Sequence, residues 1–404
     1  VTSLERRREV RYQRRKSARE EKKQKRYSEC DKFENIISYK SLYRANRKSV
    51  RNVIWKSSVQ RYEMNLLRNM ESTRSDLDRL KSISKGFVEF DLMERGRLRH
   101  IRSVHFSERV VQRSLCENSL LPILRRSLIY DNGACLPGKG VDNAMNRLTA
   151  HLQQFYRSNG FSNDGYVAVF DFSGYFDCIL HDICFKHFAK EFKDKKILWL
   201  LDSFIRPFGY PMGNTDMKRV KVSQSQFTYT GKSLGLGSEV SQITAVSYPN
   251  PLDHYIKQDL GVRWYGRYMD DGYMIFDSKV DAQRALNHVI EYAATLGITI
   301  NKKKTKVIKL SRGFKYLKVR HLLTDSGKVV RRMSRDSITR QRRKLKKFVI
   351  KVQNGIMTEH DVSTSYGSWK GYALRRGGKQ TVRNMNRLYF KLFGVRAPRC
   401  RLEK

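Results

Sequence analysis

Acidic residues are scarce in this chain. Its 404 residues hold 39 Asp and Glu against 82 Lys and Arg, a formal net charge of +43. A chain so charged repels itself, so a polyanionic partner is expected to neutralise it. Cysteine is sparse as well. Cys30, Cys116, Cys135, Cys178, Cys184 and Cys400 make no C-x-x-C pair and have no His spacing suited to zinc, which argues against a disulfide framework and for a reducing compartment. No run of about 18 apolar residues exists to span a bilayer, and the N-terminal residues lack the apolar core of a signal peptide. Nucleic acid is therefore the expected partner rather than a membrane, and the protein is expected to be soluble and intracellular. The apolar content, 40 %, is ordinary and suffices for two or three packed subdomains.

Residues 1–34 carry the basic run RRREVRYQRRKSAREEKKQKR, whose composition suits a helix but whose few apolar positions bury nothing. A solvated tail and an arm that folds along RNA phosphates are both open, with the arm favoured. Residues 35–160 read helical and basic, except Phe87–Arg102, whose alternation predicts two strands around a turn at Arg95-Gly96. Asp131–Gly140, DNGACLPGKG, is either a simple turn or a loop that sets Lys139 and backbone amides against phosphates. Residues 161–320 alternate short apolar runs with helical stretches, which predicts an α+β or α/β core. Beyond about residue 330, Ile338, Leu345, Phe348, Val349 and Val352 fall at helical spacing and Gly355 ends that helix. Two further helical units follow around SYGSWKGYALRR and VRNMNRLYFKLF.

Two segments place acids where chemistry is expected. Tyr166–Phe170 is an unbroken apolar run, a buried strand that stops at Asp171. Asp171 is equally readable as a helix N-cap, since a helical stretch follows from Cys178 to Phe192. In VRWYGRYMDDGYMIF, Val262–Phe276, two apolar strands are predicted to join at Asp270-Asp271-Gly272. An Asp-Gly turn is one reading. The other follows from adjacent like charges, which favour a nearby cation or a raised pKa. Three carboxylates on adjacent strand ends could hold two divalent ions about 4 Å apart.

Tyr268-Met269-Asp270-Asp271, preceded by a strand ending in Asp171-x-x-x-x-Phe176, resembles the palm active site of reverse transcriptases. Further motifs follow in the family's order from about Phe87 to the C-terminal helices. The resemblance implies an α+β right-hand polymerase fold. Its parts would be a basic N-terminal arm (1–34), fingers with an N-terminal extension (35–160), a palm of antiparallel sheet plus helices (161–320) and a helical thumb (321–404). It implies an RNA-directed DNA polymerase using two Mg²⁺ ions, with Mn²⁺ able to substitute, held by Asp171, Asp270, Asp271 and the Phe172 carbonyl.

Other roles are carried by the same resemblance. Phe176 matches the aromatic gate that excludes a 2′-hydroxyl, although as a residue alone it reads as a core aromatic. Arg97, Arg99 and Arg102 fall in the triphosphate-binding hairpin, and HFSERVVQRSL resembles the motif after it. Lys139 lies in the next fingers motif, on the template side. SLGLGSEVSQ, Ser233–Gln242, resembles the loop that meets nucleotide through Leu236, Gly237 and Gln242 and template through Ser241. Its L-G-x-x-x-S-Q form is similar to the bacterial branch of diversity-generating retroelement and unclassified, defence-associated reverse transcriptases. Leu236 stands where many reverse transcriptases outside that branch have Gln, which implies reduced fidelity. Lys304, in LGITINKKKT, matches the lysine near the leaving pyrophosphate. Tyr316, Leu317 and Lys318 match the primer-grip turn, with Lys318 in place of the family's glycine, and Tyr268 and Met269 would touch template or primer.

The expected partners are template RNA, nascent cDNA, a cognate structured noncoding RNA and a small basic accessory protein, with no membrane. The expected setting is the cytoplasm, in a bacterial or phage-encoded retroelement. Antiphage defence with a noncoding RNA is the alternative role, and a catalytically inactive RNA-binding protein the alternative class.

Overall fold

The computed structural model describes residues 2–94, 97–210, 219–220 and 228–400. Its strands, in chain order, are β1 (Phe87–Glu94), β2 (Arg97–Val104), β3 (Tyr166–Asp171), β4 (Arg219–Val220), β5 (Tyr265–Tyr268), β6 (Asp271–Phe276), β7 (Lys306–Lys309), β8 (Phe314–Tyr316), β9 (Val319–Leu323) and β10 (Val329–Met333). Among the described residues all strand pairings are antiparallel, which decides for α+β. The chain divides into two compact units. One comprises Val1–Ile129, Gly174–His254 and Tyr292–Thr299, and the other Tyr130–Ser173, Tyr255–Glu291 and Ile300–Lys404.

In the first unit the basic N-terminal run forms a helix, Ser3–Cys30, started by a capping box between Thr2 and Glu5. Its side chains are mostly exposed, as a run with so few apolar positions requires. Its C-terminal end is tied down where Asp31 accepts from the Lys193 and Asp194 amides. Short helices follow, among them Tyr39–Ser49 and Phe106–Leu115, and bury Phe33, Ile36, Leu42, Val111 and Leu115. The strands read from Phe87–Arg102 form as a hairpin with Phe87 opposite Val104, and β4 flanks β1. The turn residues Arg95-Gly96 lie outside the described residues.

In the second unit the sheet order is β5-β6-β3-β7. The helix Val141–Ser158 lays Leu148, Leu152 and Phe155 on it, against Val167, Val169, Tyr273 and Ile275. A small sheet, β10-β9-β8, adds Phe314, Tyr316 and Leu323 to the same core. Strands β9 (VRHLL) and β10 (VVRRM) were not legible as strands, because paired basic residues interrupt each within only five positions and neither shows a period-two alternation. Three helices then follow, Arg335–Gln353, Glu359–Arg375 and Lys379–Phe393, around Leu345, Phe348, Val362, Tyr366, Met385 and Tyr389. Gly355 ends the first of them with φ +68°, as its sequence position predicts. Among the described residues no helix is long and apolar enough to cross a membrane.

Candidate active site

Strand β3 is buried from Val167 to Asp171, and Asp171 pairs directly with Asp271 at the start of β6. Asp171 caps no helix: the residues in that role downstream are Gly174 and Leu180. The hairpin turn differs from the one expected. Tyr268 pairs with Asp271, so the turn is Met269-Asp270, with Met269 at φ +53°, and Asp271 and Gly272 belong to the strand. Gly272 is required by packing, because a Cβ there would come 2.2 Å from the Phe170 ring.

This register sets the three acidic residues at adjoining backbone positions. Asp171 is 5 % exposed, and the Phe172 amide donates to the Asp270 carbonyl over 3.1 Å. Burial, then the facing charges of Asp270 and Asp171, push the Asp271 carboxyl up from its ordinary range. The Lys304 ammonium donates to both Asp171 oxygens, at 2.6 and 2.7 Å. Asn301 presents that lysine: its amide donates to the Asp171 carbonyl, and its side-chain oxygen accepts from the Lys303 and Lys304 amides. Asn301 was missed in the sequence, although Asn before Lys-Lys-Lys is an Asx-turn signal.

Arg267 was missed too. Its side chain is fully buried in the strand before the turn, and Nη1 donates to the Met269 carbonyl over 2.9 Å. Behind β6, the Tyr273 hydroxyl is hydrogen-bonded to His151, and Asp131 binds Arg147 at 2.6 Å. Burial pushes the Asp131 carboxyl up, but hydrogen bonds from His151 and Arg147 outweigh it and hold it well below the usual range. Lys139 donates to the carbonyls of Tyr130 and Asn132 over 2.6 and 2.9 Å, so it braces its own loop. Tyr316 packs edge-on against Tyr273, with ring centres 5.0 Å apart. Leu317 and Lys318 form the two-residue turn between β8 and β9, both with positive φ.

The remaining candidates stand in the first unit. Phe176 is half-buried, and its carbonyl accepts from the Leu234 amide over 2.7 Å, joining it to the glycine-bearing loop. In that loop Leu236 is half-buried, Gly237 has φ +119° beside the Arg102 carbonyl, Ser241 is buried and Gln242 is exposed. Arg102 is buried, 3.1 Å from Glu89, and donates to the carbonyls of Phe208 and Tyr210. Its guanidinium is thereby engaged in holding the hairpin. Arg99 is exposed and pairs with Glu94 at 2.9 Å, while the side chain of Arg97 lies outside the described residues.

The donor set of Asp171, Asp270, Asp271 and the Phe172 carbonyl is hard oxygen throughout, and the crowding felt by Asp271 is what a divalent cation would relieve, so the residues fit Mg²⁺ in kind. As the side chains stand, among the described residues no three His, Cys, Asp or Glu converge in the manner of a formed metal site. Lys304 supplies the positive charge at Asp171.

Residues 139–321 match the family described as "Reverse transcriptase (RNA-dependent DNA polymerase)". That region, a little under half of the chain, is similar to a reverse transcriptase domain, and its fold is the right-hand polymerase fold. Among curated protein sequences nothing matches. Solved structures with some likeness include apo telomerase from Candida tropicalis truncated from its C-terminal domain, with TM-score 0.43 and 14 % identity over 60 % of this chain and 54 % of that one. Telomerase from Candida albicans in complex with a TWJ fragment of telomeric RNA gives TM-score 0.47 and 12 % identity over 78 % and 58 %. The chain thus spans a little over half the length of each.

Proposed function

We propose that this chain, which is similar to a reverse transcriptase domain over residues 139–321, copies an RNA template into cDNA by two-metal-ion nucleotidyl transfer. The observation that carries the reading is the direct pairing of Asp171 with Asp271, with Asp270 in the adjoining turn. Asp171, Asp270, Asp271 and the Phe172 carbonyl would hold two Mg²⁺ ions, or Mn²⁺ in their place, and such ions supply activation of the attacking oxygen and stabilisation of the leaving pyrophosphate. The remaining work falls to the side chains. Lys304 delivers a proton to the leaving group. Phe176 excludes a 2′-hydroxyl by shape. Arg97, Arg99 and Arg102 belong to the nucleotide-binding hairpin, and the exposed Arg99 is better placed than the buried Arg102 for direct phosphate contact. The three helices from Arg335 to Phe393 track the template and primer backbone.

The same proposal keeps the arm, fingers, palm and thumb at 1–34, 35–160, 161–320 and 321–404. It sets the protein in the cytoplasm, in a bacterial or phage retroelement of the diversity-generating kind, with a structured noncoding RNA and a small basic accessory protein. The L-G-x-x-x-S-Q loop favours that branch and equally the second reading, antiphage defence with a noncoding RNA.

Primer extension on an RNA template tests the activity, with Mg²⁺ or Mn²⁺ and either dNTPs or rNTPs, beside the Asp270→Ala, Asp271→Ala variant. Extension with dNTPs that disappears in the variant, with RNA binding retained, is expected. Equal synthesis by both overturns the site assignment. RNA binding without synthesis by either, even with the co-purifying RNA restored, overturns the enzyme reading in favour of a binding protein.

A further inference from the structure

The first unit holds an aromatic that neither its core nor the proposed reaction uses. Trp55 is 71 % exposed in the turn that joins the helices Tyr39–Ser49 and Ser57–Met64. An indole left in water forgoes a large burial gain, and a mobile one would add little to any partner. This one is held: its ring N–H donates to the Asn52 carbonyl over 3.2 Å, and Lys56 lies over the ring at 5.4 Å. Asn52 turns the chain at φ +65°, and the Lys56 amide closes the turn on the Val53 carbonyl. Ile54, Met64 and Leu67 are exposed nearby in sequence, at 58, 81 and 79 %.

The segment that carries this apolar surface is itself strongly basic, although Lys48 is paired with Glu117 at 2.5 Å. From Arg44 to Arg68 the chain carries seven Lys and Arg, and the single acid, Glu63, accepts a hydrogen bond from Asn46. A protein partner of ordinary surface would bring mixed charge, whereas a single nucleic-acid strand brings flat faces for an aromatic and phosphates for cations. A duplex conceals those faces within its stack.

We propose that the Asn52–Lys56 turn and its flanking helices bind single-stranded RNA, with Trp55 as the platform on which a base stacks. This gives the chain a grip on RNA that lies outside the matched residues 139–321, in the N-terminal extension of the fingers, and is independent of synthesis.

The full chain labelled with 5-fluorotryptophan tests it. Four tryptophans, Trp55, Trp199, Trp264 and Trp369, give four ¹⁹F resonances, and Trp55→Phe assigns one. A 12-nucleotide oligouridylate should shift the Trp55 resonance, and a fully paired RNA duplex should not. Trp55→Ala should weaken oligouridylate binding about 10-fold at physiological salt, and Trp55→Phe should recover most of it because a flat ring remains. Circular dichroism checks that both variants keep their fold. An unmoved Trp55 resonance, or equal binding by Trp55→Ala and Trp55→Phe, overturns the proposal. So does a concentration-dependent Trp55 shift without RNA that Trp55→Ala abolishes, which would make the surface a contact between two copies. Because the readout is binding, it stands or falls separately from primer extension.

Discussion

The guanidinium of Arg267 donates to the main-chain oxygen of Met269, so a fully buried cation holds the turn that carries Asp270. Met269 sits at φ +53°, a conformation that costs a non-glycine residue roughly 1 kcal/mol and persists only where the surroundings impose it. Arg267→Met keeps most of the side-chain volume and removes the donor. It should lower the rate of single-nucleotide incorporation about 100-fold while leaving RNA affinity within about 3-fold, since a misplacement of about 1 Å at a reacting group has that effect. Arg267→Lys, able to donate from the same side, should recover part of the rate. Equal rates in Arg267→Met and the parent would show that the turn holds itself.

Lys304 and a divalent cation would compete for the same Asp171 oxygens, which the ammonium reaches at 2.6 and 2.7 Å. Lys304→Met should therefore tighten Mn²⁺ binding to the nucleic-acid-free protein severalfold, read by electron paramagnetic resonance, because a partly exposed ion pair contributes about 1 kcal/mol at most. The same variant should synthesise more slowly, because the side chain that would hand a proton to the leaving group is gone. Unchanged Mn²⁺ affinity would place the metal away from the Asp171 carboxylate.

The legibility of the sequence followed the physics of each signal. Tyr166–Phe170 announced β3 because a run buried on both faces is apolar without interruption, and the strand ends at Asp171 as read. The turn after Tyr268 was displaced because Asp-Gly is a strong turn signal, whereas here Gly272 is needed under the Phe170 ring. Arg267 was hidden for a different reason. An arginine in a short apolar strand looks like an edge residue, and only the structure shows that it points inward to the carbonyl of Met269, the residue before Asp270. Trp55 gave no periodic pattern, since its significance is its exposure, which sequence does not carry.

Lys318 occupies the second position of a two-residue turn in which Leu317 and Lys318 have φ +46° and +66°, the geometry that favours glycine. Lys318→Gly should raise stability by about 0.5–1 kcal/mol, after the greater freedom of glycine in the unfolded chain is counted. Leu317→Gly should do the reverse, because Leu317 also packs on the core shared with Tyr316 and Phe314. Denaturant midpoints of the two variants check the pair. A loss of stability in Lys318→Gly would mean that the lysine side chain contributes more than its backbone costs.

Glu108 lies in the first turn of the helix Phe106–Leu115 and is 3 % exposed. Burial pushes its carboxyl up to about 7, offset in part by the Lys85 amide, which donates to it over 2.7 Å, and by the Lys85 charge. With the folded pKa above the unfolded one, the folded state holds the extra proton between them. Stability from this group is therefore complete below about pH 4.5 and is lost as pH rises through about 7. A shift of that size corresponds to a loss on the order of 3 kcal/mol. Glu108→Gln keeps an oxygen for the Lys85 amide and cannot ionise. It should match the parent at pH 5 and exceed it at pH 8, by up to that amount, when the two are unfolded in urea side by side. The comparison of variant with parent at each pH cancels every other titrating group. A difference that is flat with pH would mean that Glu108 is ionised in the folded protein throughout, with its charge satisfied by Lys85.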